Sequence, residues 1–156
     1  MITLRPYTPN DWPVLVQYQY PGMSEAEAQK LISEFNTGTF DGRNCQMLAV
    51  ESSGVLVGYV SLFEQEPGVA SEGVEIYPPY RRQGFASSAI RHLLAQSQGY
   101  HTITAQIRKD NTASLSLHKE LGFRIDGEFI NRRGIPVYLL SLTLPQEIAT
   151  SLRSSQ

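Results

Sequence analysis

Arg81-Arg82-Gln83-Gly84-Phe85-Ala86 follows a strand-like Val74-Glu75-Ile76-Tyr77 and opens a helix-like stretch. A helix start leaves its first backbone N–H groups unbonded and carries about half a positive charge, so a diphosphate settles there with little rearrangement. Gly84 keeps a Cβ out of the ligand's way, small Ala86 does nearly the same, and Arg81 and Arg82 add positive charge. The stretch lacks the Gly-x-x-x-x-Gly-Lys-Ser/Thr pattern of a nucleotidase phosphate loop and the Gly-x-G-x-x-Gly dinucleotide fingerprint. A tight turn carrying solvated arginines is the plainer reading of these six residues taken alone.

A second segment, Asn111-Thr112-Ala113-Ser114-Leu115-Ser116-Leu117-His118-Lys119-Glu120-Leu121-Gly122-Phe123, begins about thirty residues further on. Asn111 suits an N-cap, Gly122 a left-handed terminator, and Phe123 can fold back onto the last turn. At 3.6 residues per turn Asn111, Ser114 and His118 share a polar face, and Ala113, Leu117 and Leu121 a packing face.

The two segments, in this order with one strand between them, resemble the GNAT superfamily of N-acetyltransferases: Arg-x-x-Gly-x-Ala is similar to its acyl-CoA signature, and the Asn-led helix ending in Leu-Gly-Phe to its other recurring stretch. The resemblance implies an α+β (mixed α/β) fold. Its central, mostly antiparallel sheet would have six to seven strands, with about four helices and splayed fourth and fifth strands, here Val74 to Tyr77 and Thr102 to Ile107. Unpaired backbone groups in such a splay can bond the amides of a pantetheine arm much as a neighbouring strand would. By the same resemblance the cosubstrate is acetyl-CoA. Backbone groups of Ile76 and Tyr77 meet the acetyl end, the stretch Arg82, Gln83, Gly84, Phe85, Ala86 and Ser87 holds the pyrophosphate, and Asn111 and Ser114 lie near the pantetheine.

The implied reaction is attack of a primary amine on the thioester within a ternary complex. Negative charge growing on the carbonyl oxygen needs a donor, for which a backbone N–H near Ile76 is placed. A lysine-like ammonium, with a pKa near 10.4, must lose a proton first. Glu75, acting directly or through water, is the expected base, with Glu72 the alternative and a surface ion pair the plainer role for either. The family often places Tyr where this chain has His118, which is either the proton donor to the thiolate or a hydrogen-bonded spacer; Tyr80 and Tyr138 are fallback donors. That departure favours an alternative reading, a non-catalytic acyl-CoA-binding or regulatory module. The acceptor is expected to be a small-molecule amine or a peptide or protein amine, its pocket built by the first two helices, the loop at Tyr20-Pro21-Gly22-Met23 and the last hairpin with Phe129, Asn131 and Tyr138. A homodimer is compatible with the resemblance.

Composition agrees. The chain has 156 residues, 41% of them hydrophobic, enough for one domain over residues 1–150 with 151–156 as a flexible tail. Thirteen Lys and Arg against fifteen Asp and Glu leave a net charge of −2, which argues against a nucleic-acid partner. No apolar run approaches the roughly twenty residues of a membrane span, and Met1 to Pro6 has no signal-peptide core, so the expected location is the cytoplasm. Cys45 has no partner for an internal disulfide and reads as a small apolar group. His92 and His101 read as surface or edge residues, and with no close ligand spacing no metal is expected.

Along the rest of the chain, Ser24-Glu25-Ala26-Glu27 is a capping box ahead of a helix with Ala28, Leu31, Ile32 and Phe35 inward. Gly38 to Gly42 reads as loop, and Gln46 to Val50 and Val55 to Phe63 as a hairpin through Ser52-Ser53-Gly54. Arg124 to Ile130 and Val137 to Leu144 read as the last two strands.

Overall fold

The computed structural model describes residues 1–145; the expected tail at 151–156 lies outside them. Four α-helices and eight strands follow one another: β1 (Thr3–Arg5), α1 (Trp12–Tyr18), α2 (Glu25–Phe35), β2 (Thr39–Phe40), β3 (Arg43–Ser52), β4 (Val55–Glu66), β5 (Val69–Ile76), α3 (Phe85–Ala95), β6 (Thr102–Arg108), α4 (Thr112–Glu120), β7 (Arg124–Ile130) and β8 (Pro136–Thr143). The described residues form two compact units, one of residues 1–65 and 71–98, the other of residues 66–70 and those from 99 onward. No described helix is long and apolar enough to cross a membrane.

In the first unit the strands lie in the order β1-β3-β4-β5. β3 runs antiparallel to both β1 and β4. The β3–β4 connection closes where Ser53 and Gly54 both take positive φ, 51° and 79°, the conformation of a two-residue turn matched to strand twist. Asp41 and Gly42, at φ 51° and 74°, do the same between β2 and β3, so the expected loop at Gly38 to Gly42 is a short hairpin and adds one strand to the six or seven expected. The β3–β4 register slips between Val50↔Gly58 and Glu51↔Leu56, which leaves Val57 as a bulge in β4. Tyr7, Leu15, Ile32, Ala49, Leu56 and Tyr77 form a buried cluster in this unit, with Trp12, Tyr18, Tyr20, Tyr59 and Tyr80 packed around it. The capping box of α2 closes as expected: Glu27 N–H donates to Ser24 Oγ at 3.1 Å and Ser24 N–H to Glu27 Oε1 at 3.0 Å.

In the second unit β8 lies between β6 and β7, antiparallel to both. The α4 terminus forms a Schellman cap, with Gly122 at φ 99°, Phe123 N–H donating to His118 O at 3.0 Å and Gly122 N–H to Lys119 O at 3.0 Å. On α4 the expected faces are mixed: Leu117 and Leu121 are half-buried and Ala113 exposed, while on the polar face Asn111 is exposed, Ser114 half-buried and His118 buried. Its polar ring is tolerated inside because Nδ1 bonds the Ser114 carbonyl at 2.8 Å.

An ion pair anchors the N-terminal strand. Arg5 donates through both terminal nitrogens to Asp11, at 2.8 and 2.9 Å, and Thr8 N–H adds a bond of 2.7 Å. Burial alone would raise the Asp11 carboxyl, but the bonds from Arg5 and Thr8 hold it below its ordinary 3.8. A depressed carboxylate stabilises the fold fully above 3.8, and that contribution is lost as pH falls through the lower folded value. Asp11→Asn is expected to cost about 1.5–3 kcal/mol at neutral pH. In urea titrations the gap to the parent should shrink progressively below 3.8; a gap independent of pH refutes the assignment.

Candidate functional site

The end of β5 is held by an unusually close strand crossing. A Cβ built on Gly58 of β4 falls 2.1 Å from the Glu75 carbonyl oxygen and 2.9 Å from the Ile76 Cα, so no other residue fits there without moving β5. Beside it, Tyr77 N–H donates to the carbonyl of the bulged Val57 at 2.8 Å. Tyr77 itself is fully buried, stacked on Tyr18 at 4.6 Å between ring centroids, with its hydroxyl donating to Gln19.

Directly after this anchored strand, Pro78–Tyr80 makes one 3-10 turn and the chain passes through Arg82 at φ 64° and Gly84 at φ 80°. Arg82 and Gly84, two residues apart, both take positive φ, a backbone reversal of the kind from which anion nests are built. A left-handed conformation at a non-glycine residue such as Arg82 costs on the order of 1–3 kcal/mol, a strain that concentrates at functional sites. α3 starts with Gly84 as its N-cap and has no side-chain cap, and its first bond runs from Ser88 N–H to Gly84 O at 3.1 Å. Among the described residues no protein acceptor bonds the N–H groups of Arg82, Gln83, Gly84, Phe85, Ala86 or Ser87. No heavy atom of the protein lies within 4 Å of a Cβ built on Gly84, so within the chain the glycine is required for its φ of 80° and not for packing space.

Arg81 Nε donates to the Ile76 carbonyl at 2.7 Å and its Nη2 lies 4.0 Å from Glu75 Oε1, so this guanidinium is engaged at the end of the strand. The half-exposed Glu75 also accepts from the Tyr59 hydroxyl at 3.2 Å. Burial, with Glu75 beside it, pushes the Tyr59 phenol up to about 12, so it remains a proton-bearing donor at neutral pH. Tyr20 is raised by burial and then by the same carboxylate. Glu72, the alternative acid, is buried.

Ile76, Tyr77, Glu75 and residues 81–87 thus belong to the first unit, and Asn111, Ser114 and His118 to the second. Asn111 caps α4 through Oδ1, which accepts from Ser114 N–H at 3.2 Å. His118 is 2% exposed, its ring edge-on to Phe123 at 4.9 Å and its Nδ1 proton committed to the Ser114 carbonyl. Of the fallback donors, Tyr80 packs on the aromatic cluster and Tyr138 lies under the Lys109 ammonium at 5.1 Å. His92 and His101 are exposed, bonded locally to Ser88 O and Thr102 Oγ1. Cys45 is half-buried, and burial raises its thiol. The Tyr59 bond to Glu75 and the Gly58 crossing escaped sequence reading; the glycine inside a strand pattern was the available signal.

A left-handed turn feeding a helix without a side-chain cap, at the end of an anchored strand with a carboxylate beside it, marks the site of an α+β protein. The model of the acetyltransferase (GNAT) family matches residues 11–123, and the chain belongs to that family. It is 31% identical over 100 residues to the L-methionine sulfoximine/L-methionine sulfone acetyltransferase of Pseudomonas paraeruginosa, covering 57% of this chain and 58% of that protein. It is 28% identical over 109 residues to the L-amino acid N-acyltransferase MnaT of Escherichia coli, covering 65% of this chain and 62% of that protein. The match therefore spans about three-fifths of the length of these relatives. A ribosomal L7/L12 α-N-protein acetyltransferase, solved in complex with coenzyme A, shares the fold with a TM-score of 0.78 at 17% identity, over 92% of this chain and 94% of that one.

Gly58→Ala is expected to destabilise by about 1–3 kcal/mol through overpacking against the β5 backbone. Gly84→Ala should cost about 1–2 kcal/mol through its left-handed φ alone. Denaturant titration reads both costs, and 15N NMR distinguishes the two variants, because only Gly58→Ala should disturb the amide resonances of Glu75 and Ile76.

Proposed function

We propose that the chain is an N-acetyltransferase that moves the acetyl group of acetyl-CoA to a primary amine by direct attack in a ternary complex. The observation that carries this is the row of N–H groups from Arg82 to Ser87 without protein acceptors, folded into a nest at the N-terminus of an 11-residue helix. Those amides hold the pyrophosphate, with the mobile charge of exposed Arg82 beside them. Asn111 and Ser114 attend the pantetheine, as the family resemblance implies.

Tyr77 N–H is occupied by Val57 and the Ile76 carbonyl by Arg81; as the family resemblance implies, a backbone N–H near Ile76 donates to the thioester oxygen as charge grows on it. Glu75 takes the proton of the incoming ammonium, directly or through water. Access favours it over buried Glu72, and the Tyr59 hydroxyl and Arg81 orient its two oxygens. The amine nitrogen bonds to the carbonyl carbon, the C–S bond breaks, and the thiolate leaves to be protonated by water or by His118. With His118 buried and one ring nitrogen committed to Ser114, its other contribution is to close α4 against Phe123. The relatives named for L-methionine sulfone and L-amino acid acylation support a small amine over a protein acceptor.

A non-catalytic CoA-binding module is the second reading, favoured by the burial of His118 at the place where a tyrosine donor is common. Calorimetry should show CoA binding at least about tenfold more tightly than acetyl-pantetheine, which lacks the diphosphate. Equal affinities would end the nest assignment. Mass spectrometry of amine panels incubated with acetyl-CoA should reveal a +acetyl product. Glu75→Gln should lower kcat by about a hundredfold or more while leaving the CoA dissociation constant unchanged. Tight CoA binding with no product from any amine establishes the binding module instead.

A further inference from the structure

The hairpin that joins β7 to β8 carries a cavity of about 400 Å³ lined by Gln106, Phe129, Ile130, Asn131, Arg132 and Arg133, a size typical of small-molecule sites. Its tip is rigid. Asn131 Oδ1 accepts from both Arg133 N–H at 2.9 Å and Ile135 N–H at 3.0 Å, and Asn131 N–H donates to the Ile135 carbonyl at 2.9 Å. The acids of the same hairpin are already neutralised: Asp126 pairs with Arg124 at 2.9 Å and Glu128 with Lys109 at 2.8 Å. Among the described residues the guanidinium groups of Arg132 and Arg133 have no ion pair or hydrogen bond, in a chain whose net charge is −2. Beside these two free cations stand apolar side chains that the fold leaves in water, Phe129 at 41% exposure and Ile130 at 68%.

An unneutralised pair of guanidiniums on a fixed turn matches the fork geometry of a carboxylate, and the adjoining apolar wall matches an aliphatic or aromatic substituent. Gln106 adds an amide that can donate to the same group. Resting on the acetyl-transfer reading above, we propose that this cavity binds the carboxylate of a small amino-acid-like acceptor, with Arg132 and Arg133 as its anion clamp and Phe129 and Ile130 as the contact for its side chain. The clamp makes the enzyme selective for amines that carry a free carboxylate and an apolar body.

Binding is separable from turnover by titrating the full chain, labelled with 15N, with 4-phenylbutyrate and with its neutral amide. The carboxylate should shift the amides of Phe129 to Arg133 and the Gln106 side chain in a saturable way. The amide analogue, and the Arg132→Gln/Arg133→Gln double variant with the carboxylate, should bind at least about tenfold more weakly, the scale of a lost charge-assisted contact. No saturable shift at the hairpin, or equal affinity for acid and amide, overturns the proposal. With acetyl-CoA as donor, L-leucine and L-phenylalanine should be acetylated faster than their amides, and the double variant should erase that preference. Amino acids acetylated no faster than their amides overturn the acceptor assignment. So does weaker CoA binding by the double variant, which would give the arginines to the cosubstrate. A chain that binds no CoA fails the acetyl-transfer reading, a result distinct from the outcome of the 4-phenylbutyrate titration.

Discussion

The close passage of β5 over Gly58 is the constraint on which the first unit's chemistry depends. With 2.1 Å between a notional Cβ and the Glu75 carbonyl, the strands approach nearer than any side chain permits, and the bulge at Val57 presents a carbonyl to receive Tyr77 N–H. That arrangement consumes the hydrogen-bonding capacity of Tyr77 and sets the departure point of the Arg81–Gly84 loop. It also places Glu75 where the phenol of Tyr59, itself on β4, can reach it. Cradle and carboxylate are thus positioned by one backbone contact instead of by separate supports.

What was legible in the sequence was local. Ser24 with Glu27, Asn111, Gly122 and the Ser53-Gly54 turn each declare their conformation within a few residues, because caps and tight turns are solved by neighbouring atoms. Gly84 was likewise readable as the hinge into α3, where it takes a φ of 80°. The Asp41-Gly42 hairpin carried its turn signal as well, but a two-residue strand is too short to show alternation.

What escaped was non-local. Nothing near Arg81 in sequence says that its guanidinium turns back to the Ile76 carbonyl, five residues earlier. The burial of His118 on α4 escaped because polarity was taken as a proxy for exposure. His118 and Ser114 satisfy one another inside the helix, so the polar face can be the inner one. The slip at Val57 is a property of two strands together, and one strand's sequence does not contain it.

Cys45 is the single cysteine of the chain, and its half-burial raises the thiol above its ordinary 9.0. The thiolate is the form that attacks electrophiles, so burial makes this sulfur less reactive toward disulfide reagents and maleimides than a fully exposed thiol. Conjugation chemistry aimed at labelling the chain needs a cysteine introduced elsewhere.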